Sequence, residues 1–342
     1  MVSPQMSRRA FVGGLGALAA VGLVGCSRNS EGSGRGPTDV TYQLSWTHSV
    51  QFGGTYLAAD RGMFSEQGLS VRLAPGGPNV AGDANTVSGA ALMNISAADG
   101  VARSNAEGAD LVIIGAQYQK SPVTILSLAK APLTKPQDLV GKKIGVAGTD
   151  TPGLEAFLTL NRLDKSQVQF VPSQYDPAVL TAGQVDGLYC FYNDLPVALA
   201  VRGIEAHSML LADFGYNPMS QTYTVLRSSL EDPAKRDQIV RLFRGDARGW
   251  QAYKADPGAA AELTVRAYPD AGLDLATQRK QAQVQLDIMY SDLTDRSGFA
   301  SFTGEQVQEN LRLFELLGIK GASERLWDHS ILDEVYRDGP TA

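Results

Sequence analysis

Short apolar strands alternate with amphipathic helices along residues 40–226, and the alternation runs twice. Residues 40–45 (Val-Thr-Tyr-Gln-Leu-Ser) change polarity at period two, as a half-buried strand does. A helix over 51–61 follows, with Phe52, Tyr56, Leu57 and Ala59 apolar and Gly62 closing it. Further strands are expected at 69–73, 92–97 and 111–116, each set off by a helix or a Gly-rich turn. A second set begins after Ala131-Pro132, with strands at 143–147, 168–171 and 185–191 and helices at 152–162 and 177–182. The chain then returns through a strand at 223–226. Strands that alternate with helices pair in parallel, because each connection crosses back over the sheet and covers a face of it. The expected fold is therefore α/β: two lobes, each a mainly parallel sheet flanked by helices, joined by crossovers near 121–131 and 213–223. From residue 232 the pattern is mainly helical. Ile239, Leu242, Phe243, Ala247, Trp250 and Tyr253 form one stripe at spacings of three and four. Thr303 with Gln306 reads as a capping box opening the helix of Val307, Leu311 and Phe314. These aromatics read as core packing of a helical C-terminal cover. The organisation expected is lobe 1 from 39–125 with 223–342, and lobe 2 from 126–222.

The first 38 residues read as an address. Ser7-Arg8-Arg9-Ala10-Phe11 precedes an uninterrupted small and apolar stretch over 12–25, which ends in Leu23-Val24-Gly25-Cys26. A basic start, an apolar core shorter than a bilayer span and small residues before a cut site describe a secretory signal over 1–26. The paired arginines resemble the twin-arginine variant, and Cys26 resembles the lipid-acceptor cysteine of a lipobox. The competing reading is a single membrane anchor with Cys26 as an ordinary core residue; the shortness of the apolar stretch argues against it. Residues 27–38, rich in Ser, Gly and charge, read as a flexible tether. The location expected is the outer face of the cytoplasmic membrane, with the membrane touched through the lipid alone.

Removing 26 of the 342 residues leaves 316, with 28 basic side chains against 36 acidic ones and a balance of −8. A chain that long divides into two compact units. Its acidic balance argues against a nucleic-acid partner, since phosphate binding needs clustered Lys and Arg. Cys190 is the one cysteine beyond Cys26, so a disulfide framework is excluded.

The segment Trp46-Thr47-His48-Ser49-Val50-Gln51-Phe52-Gly53-Gly54-Thr55-Tyr56-Leu57-Ala58-Ala59, with Arg61-Gly62-Met63-Phe64 and Gln67-Gly68-Leu69-Ser70-Val71 after it, resembles the opening of a known family. This is the family of ABC-importer substrate-binding proteins that serve thiamine-pyrimidine, riboflavin, sulfonate and nitrate uptake. Pro75-Gly76-Gly77-Pro78 stands where its pyrimidine- and flavin-type members carry a Gly-Gly-Pro turn, and 141–146 (Gly-Lys-Lys-Ile-Gly-Val) matches the start of its second lobe. The resemblance covers roughly residues 40–225 with motifs. It implies the type II periplasmic-binding-protein fold, a small-molecule ligand, permease and ATPase partners, a monomeric state and no cofactor. It leans towards the pyrimidine and flavin branch, and implies capture of a planar nitrogen heterocycle, a thiamine-related aminopyrimidine first, riboflavin second and a small anion third.

Ligands of open α/β sheets sit beyond the carboxyl ends of strands. Carried over residue by residue from the resemblance, the first-lobe contacts would be Trp46, His48 and Gln51. Trp46 offers a flat face and an N–H, or else packs in the core. His48 donates to a ring nitrogen or caps the following helix. Ser96, Ala97 and Asp99 follow the third strand, and Gln117 and Tyr118 the fourth; Asp99 is expected to cap its helix, with pairing to an exocyclic amine as the alternative. In the second lobe Thr149, Asp150 and Thr151 open a helix with Pro152 at its first position. The charge of Asp150 there argues against sulfonate or nitrate. Tyr189, Tyr192, Asn193 and Asp194 end a strand; the carboxylate and amide suit an amino group and a ring edge, or they cap the helix over 195–201. Phe214 and Tyr216, near the return crossover, are expected to close the pocket. An enzyme is the different-class reading, on the pattern of a eukaryotic pyrimidine-forming relative that uses His, Lys and a Cys-rich segment with iron. Here Cys190 stands alone, and His48, His207 and His329 have no ligand-like spacing. No nucleophile elbow or P-loop is present. A sensor lipoprotein without a transport role is the remaining alternative.

Overall fold

The structure, a computed structural model, describes residues 36–173 and 175–342. Cys26, the signal and most of the tether lie outside the described residues. Residues Gly36–Ala342 form one compact unit. Its strands are β1 (Thr38–Gln43), β2 (Leu69–Ala74), β3 (Met93–Ala97), β4 (Leu111–Ala116), β5 (Val123–Leu128), β6 (Lys143–Val146), β7 (Gln169–Pro172), β8 (Gly187–Phe191), β9 (Ala206–Leu210) and β10 (Ser220–Leu226). They make two five-stranded sheets, ordered β2-β1-β3-β10-β4 and β7-β6-β8-β5-β9.

Each sheet is parallel except for one strand. In the first, β10 lies antiparallel between β3 and β4; in the second, β5 lies antiparallel between β8 and β9. Both exceptions are strands on which the chain has just crossed between the sheets. The segment 121–131, read from sequence as a crossover, is thus largely the inner strand β5. Its run Val-Thr-Ile-Leu-Ser is buried throughout, so it lacks the period-two alternation that marks a half-exposed strand. The crossings fall at 117–122 and 211–219. Residues 123–125 accordingly pair in the second sheet and 220–222 in the first, a few residues from the boundaries drawn on the sequence. The tether also ends sooner than expected, since β1 already starts at Thr38.

The first sheet is covered by the C-terminal helices. Asp232 caps the 23-residue helix Pro233–Ala255 through Ala234 N–H and Lys235 N–H, with Pro233 in the first turn where its missing donor costs nothing. This helix lies against Gly53–Asp60 in backbone contact: a Cβ on Gly249 would stand 2.1 Å from the Gly54 carbonyl oxygen, and one on Gly54 2.2 Å from the Trp250 ring. The expected stripe is buried, from Ile239 through Trp250 to Tyr253, and Thr303 and Gln306 exchange the two bonds of a capping box. Beneath the stripe, fully buried Asp246 accepts from the Tyr223 hydroxyl and from Trp250 Nε1 at 3.1 Å, and desolvation pushes its carboxyl pKa up to about 6. Among the described residues no helix is long and apolar enough to cross a membrane.

Candidate functional site

A cavity of about 400 Å³ opens between the sheets, at the ends of β1 and β8. Trp46, His48 and Gln51 line one bank, Asn193 and Asp194 the other, and Gln278, Gln281 and Gln285 of the helix Leu275–Met289 form a third wall. The strand ends hold these groups in place: beyond β1 and its neighbour β2, Gly76 N–H bonds Trp46 O at 2.8 Å, and beyond β8 the chain turns with Asp194 N–H on Phe191 O at 3.1 Å.

On the first bank Trp46 is 38 % exposed, so it is not a core residue, and its ring meets Tyr175 of the opposite bank edge-on at 6.2 Å. His48 stacks on Tyr268 with ring centroids 3.6 Å apart, and its Nδ1 lies 2.9 Å from the Tyr56 hydroxyl. Desolvation lowers the pKa of His48 and keeps the ring neutral. Which of Nδ1 and the Tyr56 oxygen donates is set by the His48 tautomer. Gln51 contributes its backbone carbonyl, which receives Gln285 Nε2 at 3.3 Å.

On the second bank, Asn193 is 5 % exposed, and its amide nitrogen donates to Tyr118 and to Gln285 Oε1, both at 3.2 Å. Its Oδ1 is buried without a protein partner. Asp194 precedes the helix Leu195–Val201 but makes no capping bond; its Oδ1 accepts from Gln281 Nε2 at 3.1 Å. Desolvation raises its pKa. Asp150 receives the Tyr175 hydroxyl at 2.5 Å, with Tyr175 at φ 51°, the left-handed region that a non-glycine residue rarely adopts. Thr149 is exposed beside that pair, while the Thr151 hydroxyl turns to Ala147 O at 3.4 Å.

Several expected contacts lie elsewhere. Gln117 is fully buried in the first lobe and donates to Tyr223 at 3.1 Å, away from the cavity. Tyr118, 3 % exposed, backs the site through Asn193 and Gln285. Phe214 packs against the second-lobe core, because its crossover folds into the turn Leu211–Phe214. Tyr192 packs on the first-lobe core. The Tyr189 and Tyr216 hydroxyls converge on Gly153, where a Cβ would stand 2.8 and 2.7 Å from them; only glycine admits both rings at that helix start. Asp99 is not the N-cap of Ala98–Ala106, a position held by Ala97, yet its carboxylate takes the N–H groups of its own residue and Gly100 and faces Arg103 at 3.8 Å. Ser96 is half-buried near Gly100. The sequence reading missed the three glutamines, although Gln278, Gln281 and Gln285 at spacings of three and four mark one helical face, and it missed Tyr175.

The electrostatics follow from this inventory. Asp194 lines the cavity, Asp99 and Asp150 repel each other's charge, and all three carboxyls are pushed up, chiefly by desolvation. Among the described residues no Lys or Arg lines the cavity. A carboxylate with no cation beside it, as Asp194 is in the described cavity lining, is stabilised by hydrogen-bond donors or positive charge and is opposed by an anion. Among the described residues no group of three or more His, Cys, Asp or Glu stands together as a metal-holding set.

Known proteins share both sequence and fold with this chain. It is 27 % identical over 292 residues to the riboflavin-binding protein RibY of Chloroflexus aurantiacus, an alignment covering 81 % of each chain. The fold is that of the periplasmic aliphatic sulphonate-binding protein SsuA from Escherichia coli, with a TM-score of 0.66 at 14 % identity over 82 % of this chain and 87 % of that one. The ligand-binding component of an ABC-type import system from Staphylococcus aureus gives 0.64 at 11 % identity, over 88 % and 100 %. The profile of the family described as NMT1/THI5 like matches residues 49–260. With more than half of its length matched and both sheets in the two-lobed solute-binding arrangement, the chain belongs to the NMT1/THI5-like family.

Proposed function

We propose that this chain is the extracytoplasmic solute-binding component of an ABC importer, and that its solute is a planar nitrogen heterocycle bearing hydrogen-bond donors. The observation that carries the reading is the composition of the cavity: an exposed indole at its mouth, the His48 ring on one bank, and Asn193 with the Asp194 carboxylate on the other. An aromatic face with a few convergent polar groups suits a flat, polar-edged ligand. The anion that came third in the sequence reading is disfavoured, because the described lining of the cavity offers a carboxylate and no cation.

Two heterocycles remain. Riboflavin leads: about 400 Å³ lies within the range of sites for drug-sized ligands, and the relative of known ligand binds riboflavin. The aminopyrimidine placed first from sequence keeps one support of its own, the Asp194 carboxylate, which suits an amino group on the ring. Closure of the second bank over the ligand would present a permease with a state distinct from the open one. Attachment through a lipid on Cys26 completes the proposal, and incorporation of labelled palmitate that is lost in Cys26→Ala is its check.

A thermal-shift titration of the full chain tests the ligand. The panel holds riboflavin, hydroxymethylpyrimidine, thiamine, taurine, an alkanesulfonate and nitrate. A solute that binds only the native state raises the midpoint with concentration. Riboflavin alone is the expected hit; hydroxymethylpyrimidine alone would make the second reading the correct one. A shift with taurine or nitrate would overturn the electrostatic argument.

A further inference from the structure

The helix Leu275–Met289 belongs to neither sheet, yet it touches both banks of the cavity through three amides. Gln278 Oε1 accepts from Val50 N–H at 2.7 Å, and its Nε2 donates to Gln281 Oε1 at 2.8 Å. Gln281 Nε2 then donates to Asp194 Oδ1 at 3.1 Å. Four residues on, Gln285 Nε2 donates to Gln51 O at 3.3 Å, while its Oε1 receives Asn193 Nδ2 and the Tyr118 hydroxyl at 3.2 Å. Two parallel relays thus run from residues 50 and 51 of the first bank to residues 194 and 193 of the second.

The direction of the relays matters as much as their existence. Each relay spends its amide ends on the two banks, and what is left over is fixed. Gln285 engages the nitrogen of Asn193 and so leaves its buried, unpartnered Oδ1 turned elsewhere. Gln281 engages one oxygen of Asp194 and leaves the other. Gln278 and Gln285 are 4 % and 1 % exposed, so their amides have no water with which to exchange these partners.

We propose that Gln281 and Gln285 are positioning residues: they tie the second bank to the first, and Gln281 holds one oxygen of Asp194 so that the other is left to accept from the solute, making the site selective for a solute that donates a hydrogen bond there. The inference deepens the heterocycle reading and rests on it for the identity of the solute alone. A ring edge carrying an N–H, an NH₂ or a hydroxyl satisfies that oxygen. A solute edge made of acceptors covers that oxygen and leaves it unpaired, which is costly.

The experiment replaces the donor at position 281 in the full chain. Gln281→Leu removes it. Gln281→Glu sets a carboxylate against Asp194, and two adjacent carboxylates hold a shared proton more tightly than either alone. Affinity for riboflavin and for hydroxymethylpyrimidine is measured by calorimetry at pH 8 and pH 5. Both variants are expected to bind about tenfold more weakly than wild type at pH 8. At pH 5 the protonated pair again supplies a donor to Asp194, so Gln281→Glu returns to within about threefold of wild type while Gln281→Leu does not. Wild-type affinity in both variants at pH 8, or equal recovery in both at pH 5, overturns the inference. X-ray scattering of the ligand-free Gln281→Leu/Gln285→Leu chain is the second arm, with melting curves as the check on folding. A larger radius of gyration than wild type supports the tie between the banks, and an unchanged one refutes it. Should neither solute bind wild type, the heterocycle reading falls and the scattering arm alone decides the inference.

Discussion

The two lobes share a sheet design and differ in what fills the space around it. The first lobe packs helix against helix through glycines, with Gly54 and Gly249 in direct contact and the Trp250 ring filling the gap beside them. It buries aromatic groups around Asp246 and takes its cover from the far end of the chain. The second lobe has two smaller cores, one around Phe157 and one around Leu199 and Cys190, and its cavity-facing side is made of turns. Asp150, Tyr175 and Asp194 all stand on such turns, and Tyr175 holds a left-handed backbone. A well-packed scaffold resists displacement, whereas turns held by single hydrogen bonds open at low cost. The comparison assigns stability to the first lobe and adjustment to the second.

The comparison breaks most easily at Trp250. Trp250→Ala empties a fully buried ring site and should cost about 3–5 kcal/mol, read as a lowered denaturant midpoint. A loss near zero would mean that the cover is not the main source of stability. Asp246 gives the next effect, and its sign is opposite to that of a paired carboxylate. Its native pKa, about 6, stands above the unfolded value of about 3.9, so between those values the native state binds more protons. Stability from this group is therefore greatest at low pH and is lost as pH rises through about 6, a difference on the order of 3 kcal/mol. Asp246→Asn should remove that slope, and comparing the two chains by urea unfolding from pH 4 to pH 8 isolates it from the other acids. Equal slopes would place the carboxyl in a less desolvated setting.

Smaller effects sharpen the contrast. Trp46→Ala should leave the melting temperature in place, since the ring is 38 % exposed, while weakening riboflavin binding about tenfold, or ~1.4 kcal/mol. Unchanged affinity would remove the indole from the site. A last test compares two glycines. Gly54→Ala drives a methyl into the Trp250 ring and should cost about 1–3 kcal/mol; Gly148→Ala in the second lobe meets nothing within 4 Å and should stay within about 0.5 kcal/mol. Equal costs for the two would erase the distinction between lobes.

Much of the first bank and part of the second could be read from the sequence. Trp46, His48, Asn193 and Asp194 were legible through the family resemblance, which places contacts at strand ends, and they line the cavity at the ends of β1 and β8. Gln117 misled for the same reason: it follows β4, but the strand beside it is β10, and Tyr223 of that strand takes its amide. The glutamine wall went unread because the side chains it serves are more than 80 residues distant in the chain. A helix with three glutamines on one face reads as an ordinary polar helix until its neighbours are known.

What the sequence alone determined is what local periodicity records. Strands and helices follow from which residues along a segment meet water, so the alternation, the capping box at Thr303 and Gln306 and the buried stripe through Trp250 were all present in the chain itself. The tertiary structure decided which segments meet. It placed β5 and β10 inside sheets begun elsewhere, set Tyr175 opposite Trp46, and laid the helix Leu275–Met289 across both banks. Those choices depend on contacts between residues far apart in sequence, where the free energy lies in packing and in the pairing of buried amides, and no local pattern carries that information.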